Sequence, residues 1–279
     1  MAVRIVTDGA ASLPGSLAEE FDVTVVPMWL DLGGRLVRES ECELDDVLHA
    51  DDVTTSGPSP GEFQEAIAAD LTDDGALVLT IAASMSSTHQ AATLAGQALG
   101  DHVRVVDTTT AAGAEGLVVL AAARAAREGA DLDTVEAVAR RVMAQVRLVA
   151  TVPTLDHLVR SGRVPGIAGW AGRHLGINPL FEFRASKVHR LRPALSPDAA
   201  LERILHEWER SITPGSDLHV ASLHAVAPEA AHDLLARVER ERKPTSAFVG
   251  EFNAVMVAHV GPGLIGLAWW WDLPDASDA

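Results

Sequence analysis

The feature that most constrains this chain is the alternation of strand and helix patterns over its first 150 residues. Short apolar runs such as AVRIVT, ALVLTIA and HVRVVD have the length and composition of buried strands, and VTVVPMW predicts another. Longer helical patterns such as PGEFQEAIAADL and SSTHQAATLAGQAL lie between them. Strands that alternate with helices of about 10–15 residues indicate βαβ units, and therefore a parallel sheet.

The pattern changes near residue 150, where strands begin to come in pairs with two helices between them. The predicted pairs are NPLFEF with KVHRLR, and TSAFVGEF with AVMVAHV and LIGLAWWW. We therefore predict a two-lobed α/β fold. Its N-terminal lobe, residues 1–149, contains a mostly parallel sheet flanked by helices, and its C-terminal α+β lobe, residues 150–279, contains a mixed sheet. The boundary is approximate, and discontinuous lobes also fit the pattern.

Charge and residue counts exclude several classes of function. The 39 acidic and 22 basic residues give a net charge of −17, which disfavours nucleic acid as a partner. The single cysteine, Cys42, excludes an internal disulfide, and the eleven histidines lack metal-ligand spacing. No apolar run approaches the roughly 20 residues of a membrane span, and MAVRIVTDG does not have the layout of a secretion signal. We therefore expect a cytoplasmic protein without a metal site.

Residues 57–61, GPSPG, match the G-x-S-x-G nucleophile elbow of α/β-hydrolases, with Ser59 as the nucleophile. That elbow needs the backbone N–H of the next residue for its oxyanion hole, and Pro60 has none. Proline also pushes the residue before it into an extended conformation. The motif therefore does not predict a hydrolase.

A second motif, GPGLIG from Gly261 to Gly266, matches the dinucleotide-binding pattern G-x-G-x-x-G. That pattern must open a helix and be followed about 20 positions later by an acidic residue. LIGLAWWW is typical of a strand, and too few residues follow Gly266. We expect no nucleotide site here.

Seven short segments, in order along nearly the whole chain, match one family pattern. They are VTDGAASLP, VVPMWL, TTSGPSP, SMSSTHQAA, VVDTTTAAGAEG, LDHLVRSGRV and AHVGPGLIG. Each is weak alone, but seven in the same order are specific. On these motifs the chain resembles the DegV family, bacterial fatty-acid-binding proteins that include the FakB subunits of fatty acid kinase.

The resemblance implies a two-lobed α/β fold that encloses a long acyl chain. It implies that Thr55 and Ser86 hold the fatty acid carboxylate, that Ser87 adds a contact or lines the same turn, and that His259 lies at the same end. FakB-type members present the carboxylate to a kinase subunit, which makes an acyl phosphate for phospholipid synthesis. The chain is then a lipid-binding subunit without catalytic residues or a cofactor, and Arg163 and Arg192 are candidates for its partner-facing surface.

The placement of the two hydroxyls agrees with this implication. Thr55 precedes a helix and Ser86 follows an apolar strand, so both are expected near the carboxyl edge of the parallel sheet, beside helix N-termini that favour anions. Hydroxyls and backbone N–H groups there stabilise a carboxylate without a countercharge. The competing interpretations are structural: Thr55 and Ser86 as helix caps, His259 as a core histidine, and the two arginines in internal ion pairs.

Several residues depart from the family pattern, which leaves ligand and partner specificity open. They are Gly9, Ser12, Gly57, Ser87, His89 and Asn178. Two alternative functions also remain. One is an enzyme for a small acyl or phosphorylated substrate that uses His259 or Asp107 as its acid or base. The other is a carrier of a different amphipathic ligand without a kinase partner.

Overall fold

A four-stranded parallel sheet forms the first layer of the molecule. The computed structural model describes residues 2–50, 52–164, 167 and 177–272. The strand order of this sheet is β2-β1-β6-β7. Its strands are β1 (Arg4–Asp8), β2 (Val23–Val26), β6 (Ala76–Thr80) and β7 (Val103–Asp107). Every residue of β6 is buried, as its uninterrupted apolar run predicts for a central parallel strand.

Six helices belong to this half of the chain. They are α1 (Gly15–Glu20), α2 (Leu44–His49), α3 (Pro60–Ala68), α4 (Thr88–Leu99), α5 (Ala112–Arg127) and α6 (Leu132–Gln145). Of these, α1, α3, α4, α5 and α6 pack against strands of this sheet. Helix α3 begins at a capping box, in which Ser59 Oγ accepts from the backbone N–H of Glu62 and Glu62 in turn accepts from the backbone N–H of Ser59. Within this structure Ser59 is therefore a helix cap.

A six-stranded mixed sheet forms the second layer, in the order β10-β9-β8-β13-β11-β12. Only the β11–β12 pair is parallel. The strands are β8 (Arg147–Thr151), β9 (Leu180–Arg184), β10 (Lys187–Arg190), β11 (Asp217–His224), β12 (Ser246–Glu251) and β13 (Ile265–Asp272). The remaining helices are α7 (Asp156–Ser161), α8 (Pro197–Glu209), α9 (Pro228–Glu241) and α10 (Ala254–Val260). None of the described helices is long and apolar enough to cross a membrane.

Helix α5 lies between the two large sheets and contacts both. It packs against β1 and β6 on one side and against β8, β11 and β13 on the other. Two glycines allow this close approach. A Cβ at Gly113 would lie 2.5 Å from the Leu223 side chain, and one at Gly116 would lie 2.7 Å from the carbonyl oxygen of Ala11. The small residues of α5 therefore set the spacing of the two layers.

A third, antiparallel sheet of three short strands was not predicted. Its order is β4-β3-β5, from β3 (Trp29–Leu32), β4 (Arg35–Arg38) and β5 (Val53–Ser56). The stretch VTVVPMW, predicted as one strand, is therefore divided between two sheets. Thr55 lies on β5, in this third sheet, and it lines one cavity with Ile81, the residue directly after β6 at the carboxyl edge of the parallel sheet. The first half of TTSGPSP is an edge strand, and the prolines follow it.

Two further predictions in the second half were wrong. AVMVAHV is helix α10, capped by the side chain of Asn253, and is not a strand. Strand β11, which pairs with both β12 and β13, was missed. The fold class itself is confirmed: a parallel sheet flanked by helices, with a separate mixed sheet. The domain boundary near residue 150 stays a prediction, and residues 273–279 of the predicted C-terminal lobe lie outside the described part.

Candidate ligand-binding site

Two aspartates, the buried Asp8 and the half-buried Asp107, organise the loops at the carboxyl edge of the parallel sheet. Asp8 accepts hydrogen bonds from the backbone N–H groups of Ala10 and Ile81, at 2.9 and 3.0 Å. Burial raises the pKa of Asp8 to about 6, although both N–H donors oppose that shift. Asp107 accepts from the backbone N–H groups of Ala83 and Thr109, at 3.2 and 2.8 Å. Both carboxylates therefore serve as acceptors that hold the strand-end loops in place.

A small cavity beside these loops brings together residues that are distant in sequence. Thr55, Ser86, Arg163 and His259 all line it. Thr55 Oγ1 and His259 Nε2 are hydrogen-bonded at 2.8 Å, although 204 positions separate them. We call this space the headgroup cavity. Four of the six residues predicted from the sequence thus meet at one place.

The second hydroxyl loop is held by its own hydrogen bonds and by close contact with the first loop. Ser86 Oγ lies 2.8 Å from Thr88 Oγ1 and accepts from the backbone N–H of Thr88 at 3.2 Å. A Cβ at Gly57 would lie 2.5 Å from Thr88 Oγ1. Gly57, a departure from the family pattern, therefore lets the loop after β5 lie directly against the start of α4.

The electrostatics of the headgroup cavity suit an anion. Burial, assisted by the positive charge of Arg163, lowers the pKa of His259 to about 4, so the imidazole is neutral at pH 7. Arg163 donates a long hydrogen bond to the carbonyl oxygen of Met85 at 3.4 Å. The cavity is therefore lined by one guanidinium, the hydroxyl residues Thr55, Ser56 and Ser86, and a neutral imidazole, which together can stabilise one carboxylate.

Helix α10 carries His259 and is fixed at both ends. At its start, Asn253 Oδ1 caps the helix, and Asn253 Nδ2 donates to the carbonyl oxygen of Gly9 and to Glu39 Oε2, both at 2.8 Å. At its end, Gly261 adopts φ +73° and ψ 171°, a conformation almost restricted to glycine, directly against the ring of His157. These contacts set the position of His259 relative to β5.

A second cavity adjoins the first and has an entirely apolar lining. Five side chains border both cavities: Met85, Leu158, Val164, Met256 and Val260. The wall beyond them comes mainly from the mixed sheet and the start of α5, and includes Ala112, Leu148, Phe181, Phe183 and Leu264. We call this space the acyl cavity. The two cavities hold about 50 Å³ each.

The other two predicted site residues are not brought to the headgroup cavity. Ser87 is exposed and does not line it, and its φ of −74° is ordinary, so the replacement of glycine causes no strain there. Arg192 is exposed beyond the end of β10, where its carbonyl oxygen accepts from Arg203. The roles predicted for both stay predictions. Asp107 lines neither cavity, so it is not placed beside His259.

Some of the remaining departures from the family pattern have a local structural explanation. A Cβ at Gly9 would overlap the carboxylate of Glu39, so glycine makes room for that side chain. His89 Nδ1 lies 3.2 Å from Thr80 Oγ1, and Ser12 adopts a left-handed conformation at φ 49°. Asn178 forms an isolated backbone bridge with Ala194. Nothing in the structure explains the choice of asparagine at position 178.

Two residues important to this geometry were missed in the sequence. Thr88 is buried between the two hydroxyl loops, and Asn253 joins α10 to the N-terminal layer. Asn253 had a detectable signal, since asparagine is a favoured helix N-cap and Gly261 then ends a seven-residue helix. Thr88 lies within the motif SMSSTHQAA, but its contact with Gly57 is tertiary and no local pattern indicates it. Among the described residues there is no cluster of histidine, cysteine or carboxylate side chains suited to a metal.

Comparison with known protein families shows to which family this chain belongs. A family model with the description "Uncharacterised protein, DegV family" matches residues 2–271. The chain belongs to the DegV family. A DegV domain-containing protein of Streptomyces coelicolor is 35% identical over 274 residues, covering 95% of this chain and 97% of that protein. A protein of Thermotoga maritima named as a fatty acid-binding protein is 26% identical over 281 residues, covering 95% and 96%.

Solved DegV structures share the fold over almost the whole chain. A DegV family protein from Thermus thermophilus, described for its fatty acid binding, superimposes with a TM-score of 0.90 at 30% identity, covering 97% of this chain and all of that one. A DegV lipid-binding protein from Thermotoga maritima gives a TM-score of 0.85 at 26% identity, covering 97% and 99%. The resemblance to the DegV family predicted from seven motifs is therefore confirmed.

Proposed function

We propose that this DegV protein binds a long-chain fatty acid, with the carboxylate in the headgroup cavity and the chain in the acyl cavity. One observation carries the proposal: a cavity lined by Thr55, Ser86, Arg163 and His259 adjoins one lined only by apolar side chains, and five residues line both. An amphipathic ligand with a small anionic head and a long apolar body matches both. The related proteins described as fatty-acid-binding support the same assignment.

The carboxylate would be held mainly by hydrogen bonds. The hydroxyls of Thr55 and Ser86 are donors, and Arg163 supplies the balancing charge. Leaving a buried carboxylate one donor short costs about 1–3 kcal/mol, so each hydroxyl contributes measurably to affinity. Thr55 already has a polar partner in His259, and the bond between them keeps both side chains oriented toward the cavity.

The acyl chain would supply most of the affinity. About 15 methylenes at ~0.8 kcal/mol each give an upper bound of roughly 12 kcal/mol before the costs of ordering the ligand. The two cavities, at about 50 Å³ each, are smaller than the roughly 300–1,000 Å³ of typical ligand pockets, so side chains must move on binding. Met85 and Met256, on the shared wall, are unbranched and adapt most easily.

We extend the proposal to a kinase partner in the cytoplasm that phosphorylates the bound carboxylate to an acyl phosphate for phospholipid synthesis. The DegV protein supplies no catalytic group in this scheme. Arg163 borders the headgroup cavity and Arg192 is exposed, so both are available to a partner or to a transferring phosphoryl group, which requires cationic stabilisation. The alternative of an enzyme that uses His259 or Asp107 as its acid or base is narrowed to His259, because Asp107 does not line the cavity.

The binding proposal is tested with a hydroxyl-deleted variant and a neighbouring control. We expect the double substitution Thr55→Val, Ser86→Ala to weaken palmitate binding by at least about tenfold in calorimetry. Thr54→Val is the matched control, because Thr54 is exposed on the same strand and does not line the cavity. Equal affinity of the double variant and wild type, with the fold intact, would remove Thr55 and Ser86 from the site.

The same preparations also test ligand class and partner role. We expect native mass spectrometry of the freshly purified protein to show a bound mass equal to a C14–C18 fatty acid. Ser87→Ala should leave affinity within about twofold if its exposed side chain makes no ligand contact. If Arg163→Ala and Arg192→Ala variants that still bind palmitate support normal phosphorylation by the cognate kinase, the docking surface lies elsewhere.

A further inference from the structure

Thr88, the first residue of α4, lies directly behind two residues that line the headgroup cavity, Ser86 and Gly57. Thr88 is fully buried and does not line the cavity itself. Ser86 is half-buried and hydrogen-bonded to Thr88, and a Cβ at Gly57 would lie 2.5 Å from Thr88 Oγ1. Thr88 can therefore influence a ligand in the headgroup cavity only through its neighbours.

The hydroxyl group of Thr88 has one hydrogen-bond partner in the described part of the chain, Ser86 Oγ at 2.8 Å. Each hydroxyl carries one proton, so one of the two oxygens donates in this bond and the other accepts. If Ser86 donated, the buried proton of Thr88 would have no acceptor, and unsatisfied buried donors are costly and rare. The favoured direction is therefore from Thr88 Oγ1 to Ser86 Oγ.

With this direction, both acceptor positions of Ser86 Oγ are filled. The backbone N–H of Thr88 donates to it at 3.2 Å, and the Thr88 hydroxyl donates to it at 2.8 Å. The remaining position around the oxygen is taken by its own proton. Because Ser86 lines the headgroup cavity, this proton is left for an acceptor placed there. Accepting two hydrogen bonds also polarises the Ser86 hydroxyl and makes it a better donor.

We propose that Thr88 is a positioning residue for the ligand carboxylate, because it fixes Ser86 as a donor toward the headgroup cavity. The inference rests on the proposed function, in which a fatty acid carboxylate occupies that cavity. The chain of hydrogen bonds runs from Thr88 Oγ1 to Ser86 Oγ and from there to a carboxylate oxygen. An ionised carboxylate only accepts hydrogen bonds, so it matches the direction of this chain.

The test compares variants that differ only in the hydroxyl group at position 88. Thr88→Ala and Thr88→Ser both lack the methyl group of threonine, but only serine keeps a donor for Ser86. We expect Thr88→Ala to bind palmitate at least about tenfold more weakly than wild type in calorimetry, and Thr88→Ser to stay within about threefold. Thr88→Val, which keeps the side-chain volume, is a second hydroxyl-free variant and should show the same loss as Thr88→Ala.

Thr93 provides the matched control on the same helix. Its Oγ1 donates to the carbonyl oxygen of His89 at 2.8 Å, and the residue lines neither cavity. Thr93→Ala and Thr93→Ser should therefore bind palmitate with affinities within about twofold of each other.

Two further measurements separate positioning from a merely structural role. In a Ser86→Ala background, Thr88→Ala and Thr88→Ser should bind palmitate equally within about twofold, because Thr88 acts through the Ser86 hydroxyl. Methyl palmitate should lose less affinity than palmitate in Thr88→Ala, since hydrogen bonds to a charged acceptor are the stronger ones. A structural role would weaken both ligands alike, and its effect would persist without the Ser86 hydroxyl.

The possible results distinguish this inference from the proposed function. Equal palmitate affinity of folded Thr88→Ala and Thr88→Ser would overturn the inference alone, as would a difference between them that remains in the Ser86→Ala background. The proposed function fails differently: wild-type protein would not bind palmitate, or Ser86→Ala together with Thr55→Val would leave the affinity unchanged. Either of those results would overturn the role of Thr88 as well.

Discussion

At the scale of single residues, burial shifts the pKa values of several ionisable groups toward their neutral forms. Burial raises the pKa of Glu39 to about 7, and the nearby charge of Asp8 adds to the rise. Burial also raises the pKa of Glu115 well above its usual value. His259 and His219 shift the other way, each to about 4. In both directions, burial favours the neutral form.

Replacing Glu39 with glutamine should change how stability depends on pH. The pKa of Glu39 is raised in the folded protein, so its protonation stabilises the fold below about pH 4.5, and that contribution is lost as pH rises through about 7. Glutamine keeps an acceptor for Asn253 but cannot ionise. We therefore expect Glu39→Gln to stabilise the protein relative to wild type at pH 8 and to lose up to about 3 kcal/mol of that advantage by pH 4.5.

Urea denaturation of both proteins from pH 4.5 to pH 8 measures this difference directly. Comparing the two proteins cancels the opposite contributions of His259 and His219, whose lowered pKa values make the fold less stable as pH falls. A difference in free energy of unfolding that stays constant over this range would contradict the raised pKa of Glu39.

Fatty acid binding should raise the pKa of His259. The ligand-free value is about 4, because burial and Arg163 both disfavour the imidazolium. A carboxylate placed beside Thr55 would stabilise the charged ring, since the two side chains are hydrogen-bonded. We expect NMR titration of His259 to show a higher pKa with palmitate than without it. An unchanged value would place the carboxylate away from the imidazole.

At the scale of elements, the short helix α10 links the N-terminal half of the chain to the headgroup cavity. It packs against α2, α7, β3 and β5, and its cap residue Asn253 contacts the loop after β1. It has seven residues, too few for stable helix formation in isolation. Its geometry therefore depends on tertiary contacts and on the glycine that ends it.

Gly261→Ala should destabilise the protein more than Gly162→Ala. Both glycines end a helix at positive φ, but Gly162 is at φ 63° and ψ 6° with open space around it. That left-handed conformation costs another residue about 1–2 kcal/mol. Gly261 adds a backbone conformation almost restricted to glycine and a contact with the His157 ring.

Chemical denaturation of the two alanine variants gives the comparison. We expect the loss in free energy of unfolding for Gly261→Ala to exceed that for Gly162→Ala by at least about 1 kcal/mol, because the ring must also move. Equal losses would show that the His157 contact is easily relieved and that only the backbone conformation matters.

At the scale of the whole molecule, the proposed ligand would lie between the two large layers. The acyl cavity is bounded by α5, α7, α10 and the mixed sheet, so one ligand contacts elements from both halves of the chain. Binding that favours the folded state stabilises it by RT ln(1 + [L]/Kd), or about 2.7 kcal/mol at 100 times Kd. The ligand should therefore raise the stability of both layers together.

Palmitate should raise the melting temperature of the delipidated protein by several degrees, and methyl palmitate should raise it much less. The ester has the same chain but lacks the charge that Arg163 and the hydroxyls would balance. Differential scanning calorimetry at matched free concentrations measures both. Equal stabilisation by acid and ester would show that the headgroup cavity makes no use of the carboxylate charge.

Features that depend on neighbouring residues were predictable from the sequence. The period of apolar residues gave the parallel sheet and most helices, since it reflects which face of each element is buried. The position of Pro60 was enough to exclude an elbow at Ser59. The helix AVMVAHV was misassigned because an apolar run of seven residues fits a strand or a helix equally well. The N-cap residue Asn253 and the terminal Gly261 indicate a helix between them, and these two signals were overlooked.

Contacts between distant residues were decided only by the tertiary structure. The motif resemblance predicted Thr55, Ser86 and His259 as site residues, but not that β5 belongs to a separate sheet or that Thr55 and His259 are hydrogen-bonded across 204 positions. Such contacts depend on how layers pack, and packing depends on the fit of whole surfaces such as the small-residue faces of α5. For the same reason, the close approach of Gly57 to the Thr88 side chain has no counterpart in any local pattern of the chain.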